Sequence, residues 1–192
     1  MRVAIFGGSF NPPHVAHQMA ALYVLETAAV DELWIVPAFQ HAFGKALAPF
    51  ADRLAMCVLA AAALGPRVRV VAIERDLGAE SYTLRTVRRL QQDFPAHTFS
   101  LVIGADLVSE VPSWHSGAEL QETVPFLIVG RGGFTAEGEK SGERTGVALP
   151  RISSTEVRAA LGAGRPVEGL VPRSVLDYIH GHNLYKSGER SA

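Results

Sequence analysis

Short, mainly apolar runs alternate with longer stretches of helical periodicity along this chain. Val3 to Phe6, Glu32 to Val36 (closed by Pro37), Val68 to Ile73, Thr98 to Ile103 and Pro125 to Val129 are the apolar runs. Segments of that length, rich in Val and Ile, suit strands buried on both faces of a parallel sheet. Between them the spacing turns helical. After Pro12-Pro13 apolar residues recur at Met19, Leu22, Tyr23 and Leu25, and Asp52 to Leu64 is rich in Ala and Leu before the stop signal Gly65-Pro66. Ser81 is positioned to cap a helix whose Leu84, Val87 and Leu90 point inward and whose Arg85, Arg88 and Arg89 face water. Ser154 to Leu161 and Arg173 to His180 read as two more helices, and Val147 to Leu149 as a short sixth strand. Gly130 to Gly146, with many Gly, Glu and Lys, is expected to be a mobile loop, and Lys186 to Ala192 a disordered polar tail. Strands alternating with helices predict an α/β fold, a doubly wound parallel sheet with helices on both faces. Such sheets bind ligands beyond the C-terminal strand ends, where the strand order switches.

Composition narrows the class. At 192 residues, 48% hydrophobic and 19% charged, the chain suits one globular domain with a good core. A net charge of −1 argues against a nucleic-acid coat or a membrane-surface binder. The one cysteine, Cys57, excludes an internal disulfide framework, fits a reducing cytoplasm and belongs on a buried helix face. No secretory leader and no bilayer-length apolar run is read.

The most informative stretch is residues 3 to 17. A strand runs into Gly7-Gly8, where a sharp turn would bring bare backbone close to a ligand. Pro12 and Pro13 then pre-set a first helical turn. Amide groups at that helix start would attract an anion, phosphate above all. His14 and His17, three apart, share a helix face and can donate to phosphoryl oxygens. A metal pair is disfavoured, since no nearby Cys, Asp or Glu completes a shell. The G-x-G-x-x-G fingerprint is missing after this strand, which disfavours a bound NAD cofactor.

Gly7-Gly8-Ser9-Phe10-Asn11-Pro12-Pro13-His14-Val15-Ala16-His17 resembles the G-G-[ST]-F-[DN]-P-x-H-x-G-H signature of nucleotidyltransferases, most closely the bacterial nicotinate-mononucleotide adenylyltransferases. Ala16 departs from the family's glycine and adds a methyl group near the expected phosphates. A second stretch, Ile152-Ser153-Ser154-Thr155-Glu156-Val157-Arg158, has its own logic. Ser153 and Glu156 have capping-box spacing, so a helix starts at Ser153. Arg158 in the first turns opposes the helix dipole, a conflict that an anion in front of the helix would remove. The stretch also resembles the family's I-S-S-T-x-x-R motif, which holds ATP phosphates.

The resemblance implies a Rossmann-like core over residues 1–150, a C-terminal helical subregion over 151–185 and a tail over 186–192, all in a single nucleotidyltransferase domain. It implies adenylyl transfer from ATP to nicotinate mononucleotide, giving deamido-NAD and pyrophosphate. His14, His17 and Arg158 would be catalytic. Gly7, Gly8, Ser9, Phe10, His17, Asp106, Ile152, Ser153, Ser154, Thr155 and Arg158 would bind ATP. Lys45, Ser81, Tyr82, Thr83, Trp114 and His115 would bind the second substrate, Trp114 by stacking on the pyridine ring. The segment around Lys45 reads Gln40-His41-Ala42-Phe43-Gly44-Lys45 and departs from the family's Pro-Pro-His-Lys. Mg²⁺ is expected on the ATP phosphates, with no protein metal site, and a homodimer is implied. Two alternatives stand beside this: another acceptor (nicotinamide mononucleotide or phosphopantetheine), and a nucleotide-binding sensor that has kept the fold without the chemistry.

Overall fold

A computed structural model describes residues 1–40, 46–78, 82–130, 143–144 and 149–186. Its sheet is built from β1 (Arg2–Gly8), β2 (Glu32–Pro37), β3 (Val68–Val70), β4 (Thr98–Gly104), β5 (Phe126–Val129) and the two-residue β6 (Glu143–Arg144). Every pairing is parallel, in the order β3-β2-β1-β4-β5-β6. The chain therefore winds outward one way through β2 and β3, and the other way through β4 and β5. The reversal falls between β1 and β4, which makes the C-terminal end of β1 the natural place for a ligand.

Helices cover both faces of the sheet. One face carries α4 (Thr83–Asp93) and α5 (Gly117–Thr123), and its core joins Leu84, Val87 and Leu90 to Ile5, Leu101 and Ile103. The opposite face carries α1 (Val15–Thr27) and α2 (Phe50–Ala62), packed on Ala4, Leu33, Ile35 and Val102. A third cluster joins Ala16 of α1 and Met56 and Ala60 of α2 to α6 (Ser154–Gly162) and α7 (Arg173–Gly181). The C-terminal helices are thus fastened onto the start of α1.

Several elements differ from their sequence readings. The run Val68 to Ile73 is a strand only through Val70, and Ile73–Leu77 forms a short helix, α3. β4 continues into a 3₁₀ helix, Ala105–Ser113, and then α5, neither of which a period of apolar residues announces. The buried face of α1 is Ala16, Ala20, Ala21, Val24 and Leu25, while Met19 and Leu22 are exposed. The small alanines let the first turns of the helix lie close to the sheet, and Val24 and Leu25 fill the space toward its end. Leu149 donates its amide to the Gly130 carbonyl (3.0 Å), but Val147 and most of the 130–146 loop lie outside the described residues, as does the tail beyond Lys186. Cys57 is fully buried on α2, as its helix position implied.

Candidate active site

Gly7 and Gly8 are still strand: they pair with Val36 and Pro37 of β2. The sharp change of direction comes later, at Phe10, whose φ is 44°. The glycines serve approach, not turning. A Cβ on Gly7 would meet nothing within 4 Å, so bare backbone borders open space. A Cβ on Gly8 would come within 3.3 Å of the Phe10 ring. That ring is buried, edge-on to Phe6 (5.5 Å) and tilted against His17 (4.9 Å). Phe10 therefore backs the His17 imidazole with its side chain and lies outside the cavity wall.

His14 is the N-cap of α1, and its backbone N–H donates to His17 Nδ1 at 3.1 Å. A ring nitrogen that accepts carries no proton, so neutral His17 holds its proton on Nε2. The two rings stack with centroids 3.6 Å apart. The helix start is less open to an anion than the sequence implied. The Val15 amide donates to the Leu170 carbonyl (2.9 Å), and the His14 amide to His17. Donors toward a ligand here are chiefly side chains.

Beyond the strand ends lies a cavity of about 690 Å³. Gly7, Gly8, Ser9, His14, Ala16 and His17 border it on one side. Tyr82, Thr83, Asp106, Trp114 and His115 border it on another. Asp106 opens the 3₁₀ helix, and its carboxylate lies over Gly104, where a Cβ would sit 2.4 Å from Oδ1. That close approach is the physical reason for glycine two places before the aspartate. Trp114 ends the 3₁₀ helix. The next residue, His115, stacks on Tyr82 with centroids 4.1 Å apart and planes 20° off parallel. Gly117 permits this tight exit, because a Cβ there would overlap the Val111 carbonyl.

The second motif packs against the first. Ser153 caps α6, accepting from the Glu156 amide (3.2 Å), while the Ser153 amide donates to Glu156 Oε2 (3.2 Å), the capping box its spacing implied. Ser154 Oγ donates to the Pro12 carbonyl (2.9 Å) and Arg158 Nη1 to the Asn11 carbonyl (2.7 Å). Arg158 Nη2 lies 3.4 Å from Thr155 Oγ1. The dipole conflict at Arg158 is thus eased by a carbonyl from the signature loop. Asn11 is a buried hub: its Oδ1 accepts from Tyr185 Oη (2.8 Å) and from the Ala48 amide (3.2 Å). Burial pushes the Tyr185 phenol pKa up from its ordinary value, with the Arg158 and Arg53 charges opposing. Ile152, by contrast, is buried among Ala16, Met56 and Val157 and anchors the motif from within. Ala16's methyl group enters that same cluster, so the departure from glycine fills space between helices as well as edging the cavity.

Lys45, His41 and Ser81 lie outside the described residues. Three contributors escaped the sequence reading. Glu74 of α3 borders the cavity and accepts from the Phe39 amide (2.9 Å) and Thr86 Oγ1 (2.9 Å). Thr86 borders the cavity beside it. Arg53, 1% exposed, binds backbone carbonyls beneath the signature loop. Among the described residues no group of three His, Cys, Asp or Glu is arranged to hold a metal.

The cytidylyltransferase-like family model matches residues 5–160. A protein of Anaeromyxobacter dehalogenans (strain 2CP-C), named a probable nicotinate-nucleotide adenylyltransferase, is 46% identical over 188 residues, covering 96% of each chain. This chain belongs to the nicotinate-nucleotide adenylyltransferase family. A Myxococcus xanthus (strain DK1622) protein of the same name is 36% identical, covering 96% of this chain and 95% of its own. In fold the family likeness extends further. A Plasmodium falciparum nicotinic acid mononucleotide adenylyltransferase, solved in complex with NaAD, superposes with a TM-score of 0.81 at 22% identity, over 96% of this chain and 97% of that one. Among the described residues no helix is long and apolar enough to cross a membrane.

Proposed function

We propose that this protein transfers the adenylyl group of ATP to nicotinate mononucleotide, releasing pyrophosphate and forming deamido-NAD. The observation that carries the reading is the seam between the two motifs. Ser154 and Arg158 reach the carbonyls of Pro12 and Asn11 on the very loop that presents His14 and His17 to the cavity. The C-terminal motif does not itself line the cavity but packs against the loop that does, and the cavity's other side carries Trp114, Tyr82 and Asp106.

The chemistry needs no protein nucleophile. An oxygen of the mononucleotide's 5′-phosphate attacks the α-phosphorus of ATP. The bond from that phosphorus to the bridging oxygen breaks, and its electron pair leaves with pyrophosphate. The barrier comes from bringing two anions into line and from charge growing on the departing oxygens. His17, with its proton on Nε2, donates to an α-phosphate oxygen, and His14 assists from the stacked ring. Arg158, Thr155 and Ser154 take the β- and γ-phosphates; Arg158 and Ser154 exchange their present carbonyl partners for charged oxygens, a stronger hydrogen bond. Gly7, Gly8 and Ser9 let the nucleotide approach the strand end. Asp106 accepts from a ribose hydroxyl, and Trp114 offers a stacking face to the pyridine ring. Lys45 and Ser81 are assigned to the second substrate on the motif alone, and Tyr82, Thr83 and His115 complete that side.

Imidazoles, hydroxyls and a guanidinium suit anions better than a hard, oxygen-seeking cation such as Mg²⁺. Mg²⁺ accordingly belongs with the triphosphate, where it would neutralise charge, and no residue described here is assigned to hold it.

Pyrophosphate release from ATP, assayed separately with nicotinate mononucleotide, nicotinamide mononucleotide and phosphopantetheine, tests the reading. Nicotinate mononucleotide should give the highest kcat/KM. Release with none of the three, despite ATP binding, would favour the sensor; a preference for another acceptor would correct the substrate.

A further inference from the structure

Arg53 has no place in the signature motifs, yet it is among the most buried side chains of the protein, at 1% exposure. Among the described residues none of its hydrogen-bond acceptors is a carboxylate. Nη1 donates to the Ser9 carbonyl (2.9 Å) and the Ala38 carbonyl (2.7 Å). Nη2 donates to the Phe39 carbonyl (3.0 Å), and Nε to the Ala48 carbonyl (2.9 Å). The Phe50 ring lies 5.4 Å from the guanidinium carbon. Desolvation pulls the guanidinium's pKa below its ordinary value, although it stays charged near neutrality.

Those four carbonyls come from three separate stretches. Ser9 is the cavity-facing residue after β1, Ala38 and Phe39 follow β2, and Ala48 precedes α2. Ser9 and Ala38 both border the cavity. One planar fork thus fixes the distance between the strand ends on which the nucleotide would rest. Lysine cannot reproduce it, because a point charge lacks the fork's geometry.

We infer that Arg53 is a positioning residue for the nucleotide phosphates: it locks Ser9 and the exit of β2 in one arrangement and sets a buried positive charge behind them. Glu74, bonded to the Phe39 amide, acts on the guanidinium from a distance, and a triphosphate lying against Ser9 would add countercharge on the cavity side. The inference rests on the adenylyl-transfer reading for what occupies the cavity. Its first arm uses Arg53→Lys and Arg53→Met, assayed well below their melting temperatures with the folded fraction measured by circular dichroism. ATP is titrated at saturating nicotinate mononucleotide, and the acceptor at saturating ATP. In both variants kcat/KM for ATP should fall by about tenfold or more, since even small misplacements of reacting groups are costly in rate. The KM for the acceptor should move by less than about threefold. A purely structural arginine would lower the melting temperature and leave both constants per folded molecule at their parental values, which would overturn the inference. A second arm needs no variant. In ¹⁵N-labelled wild-type protein, the Arg53 Nε–H resonance should shift when a non-hydrolysable ATP analogue is added, and an unmoved resonance at saturation also overturns the inference. Failure of the parent protein to release pyrophosphate, with the resonance still shifting, would instead strike the adenylyl-transfer reading and leave Arg53's role standing.

Discussion

His17 does two things with two nitrogens, and amide substitutions can separate them. Nδ1 accepts the His14 backbone N–H at 3.1 Å and so completes the capping of α1, while Nε2 carries the proton that the proposed mechanism offers to phosphate. An asparagine at position 17 places its carbonyl oxygen close to where Nδ1 stood but has nothing at the position of Nε2. A glutamine reaches Nε2's position with an NH₂ group and has no acceptor at Nδ1's. His17→Asn should therefore keep the cap, with a melting temperature within about 1–2 °C of the parent. It should lose the donor, lowering kcat by about 10²–10³-fold, the usual cost of removing one preorganised donor from a developing oxyanion. His17→Gln should show the opposite pattern. Loss of an N-terminal cap costs about 1 kcal/mol, or about 2–4 °C in a chain of this size, while kcat falls by only about tenfold. The assays are thermal unfolding followed by circular dichroism and steady-state pyrophosphate release. If His17→Asn keeps activity within a fewfold of the parent while His17→Gln does not, the proton has been assigned to the wrong nitrogen.

Three other perturbations test neighbouring parts of the structure. Gly104→Ala puts a methyl group where the Asp106 carboxylate now lies, 2.4 Å from Oδ1; the flexible carboxylate yields, so the KM for ATP should rise by about tenfold, roughly the cost of one hydrogen bond to a charged group, with little change in melting temperature. Tyr185→Phe removes a 2.8 Å hydrogen bond to Asn11 Oδ1, which still accepts from Ala48; with the acceptor not orphaned, urea unfolding should show a loss of about 1 kcal/mol. Burial pushes the Cys57 thiol from 9.0 up to about 12. A raised folded-state value means stability that is fully present below about pH 9 and lost as pH rises toward 12, up to about 4 kcal/mol. Cys57→Ala should flatten that alkaline decline relative to the parent, and identical pH–stability curves would refute the argument.

What the residues disclosed beforehand was the chemistry carried by local rules. The capping box at Ser153 and Glu156 and the histidine pair each depend on neighbours a few positions away, and each lies where its spacing implied. Features decided by distant contacts were harder to read. Arg53 sits among apolar residues of a helix, and a lone arginine there ordinarily reaches water. Only the approach of Ser9, Ala38 and Ala48 makes it an interior group. The apolar recurrence at Met19 and Leu22 does not disclose the inner face of α1, which is Ala16, Ala20 and Ala21 followed by Val24 and Leu25, because which side meets the sheet is decided by distant contacts. Glu74 was hidden because Val68 to Ile73 looks like one uninterrupted strand, whereas the strand ends at Val70 and a helical turn brings the carboxylate to Phe39 and Thr86.

The fastening of the last helices to the first loop orders events during synthesis. Ser154 meets Pro12, Arg158 meets Asn11 and Tyr185 meets Asn11 across separations of 142, 147 and 174 residues. A ribosome delivers those partners more than about 140 residues after the loop they meet, since chains emerge N-terminal part first. The nascent protein would already own its histidines and glycines long before the segment proposed to grip a triphosphate's far end, so nucleotide turnover should appear only once that segment has emerged and docked.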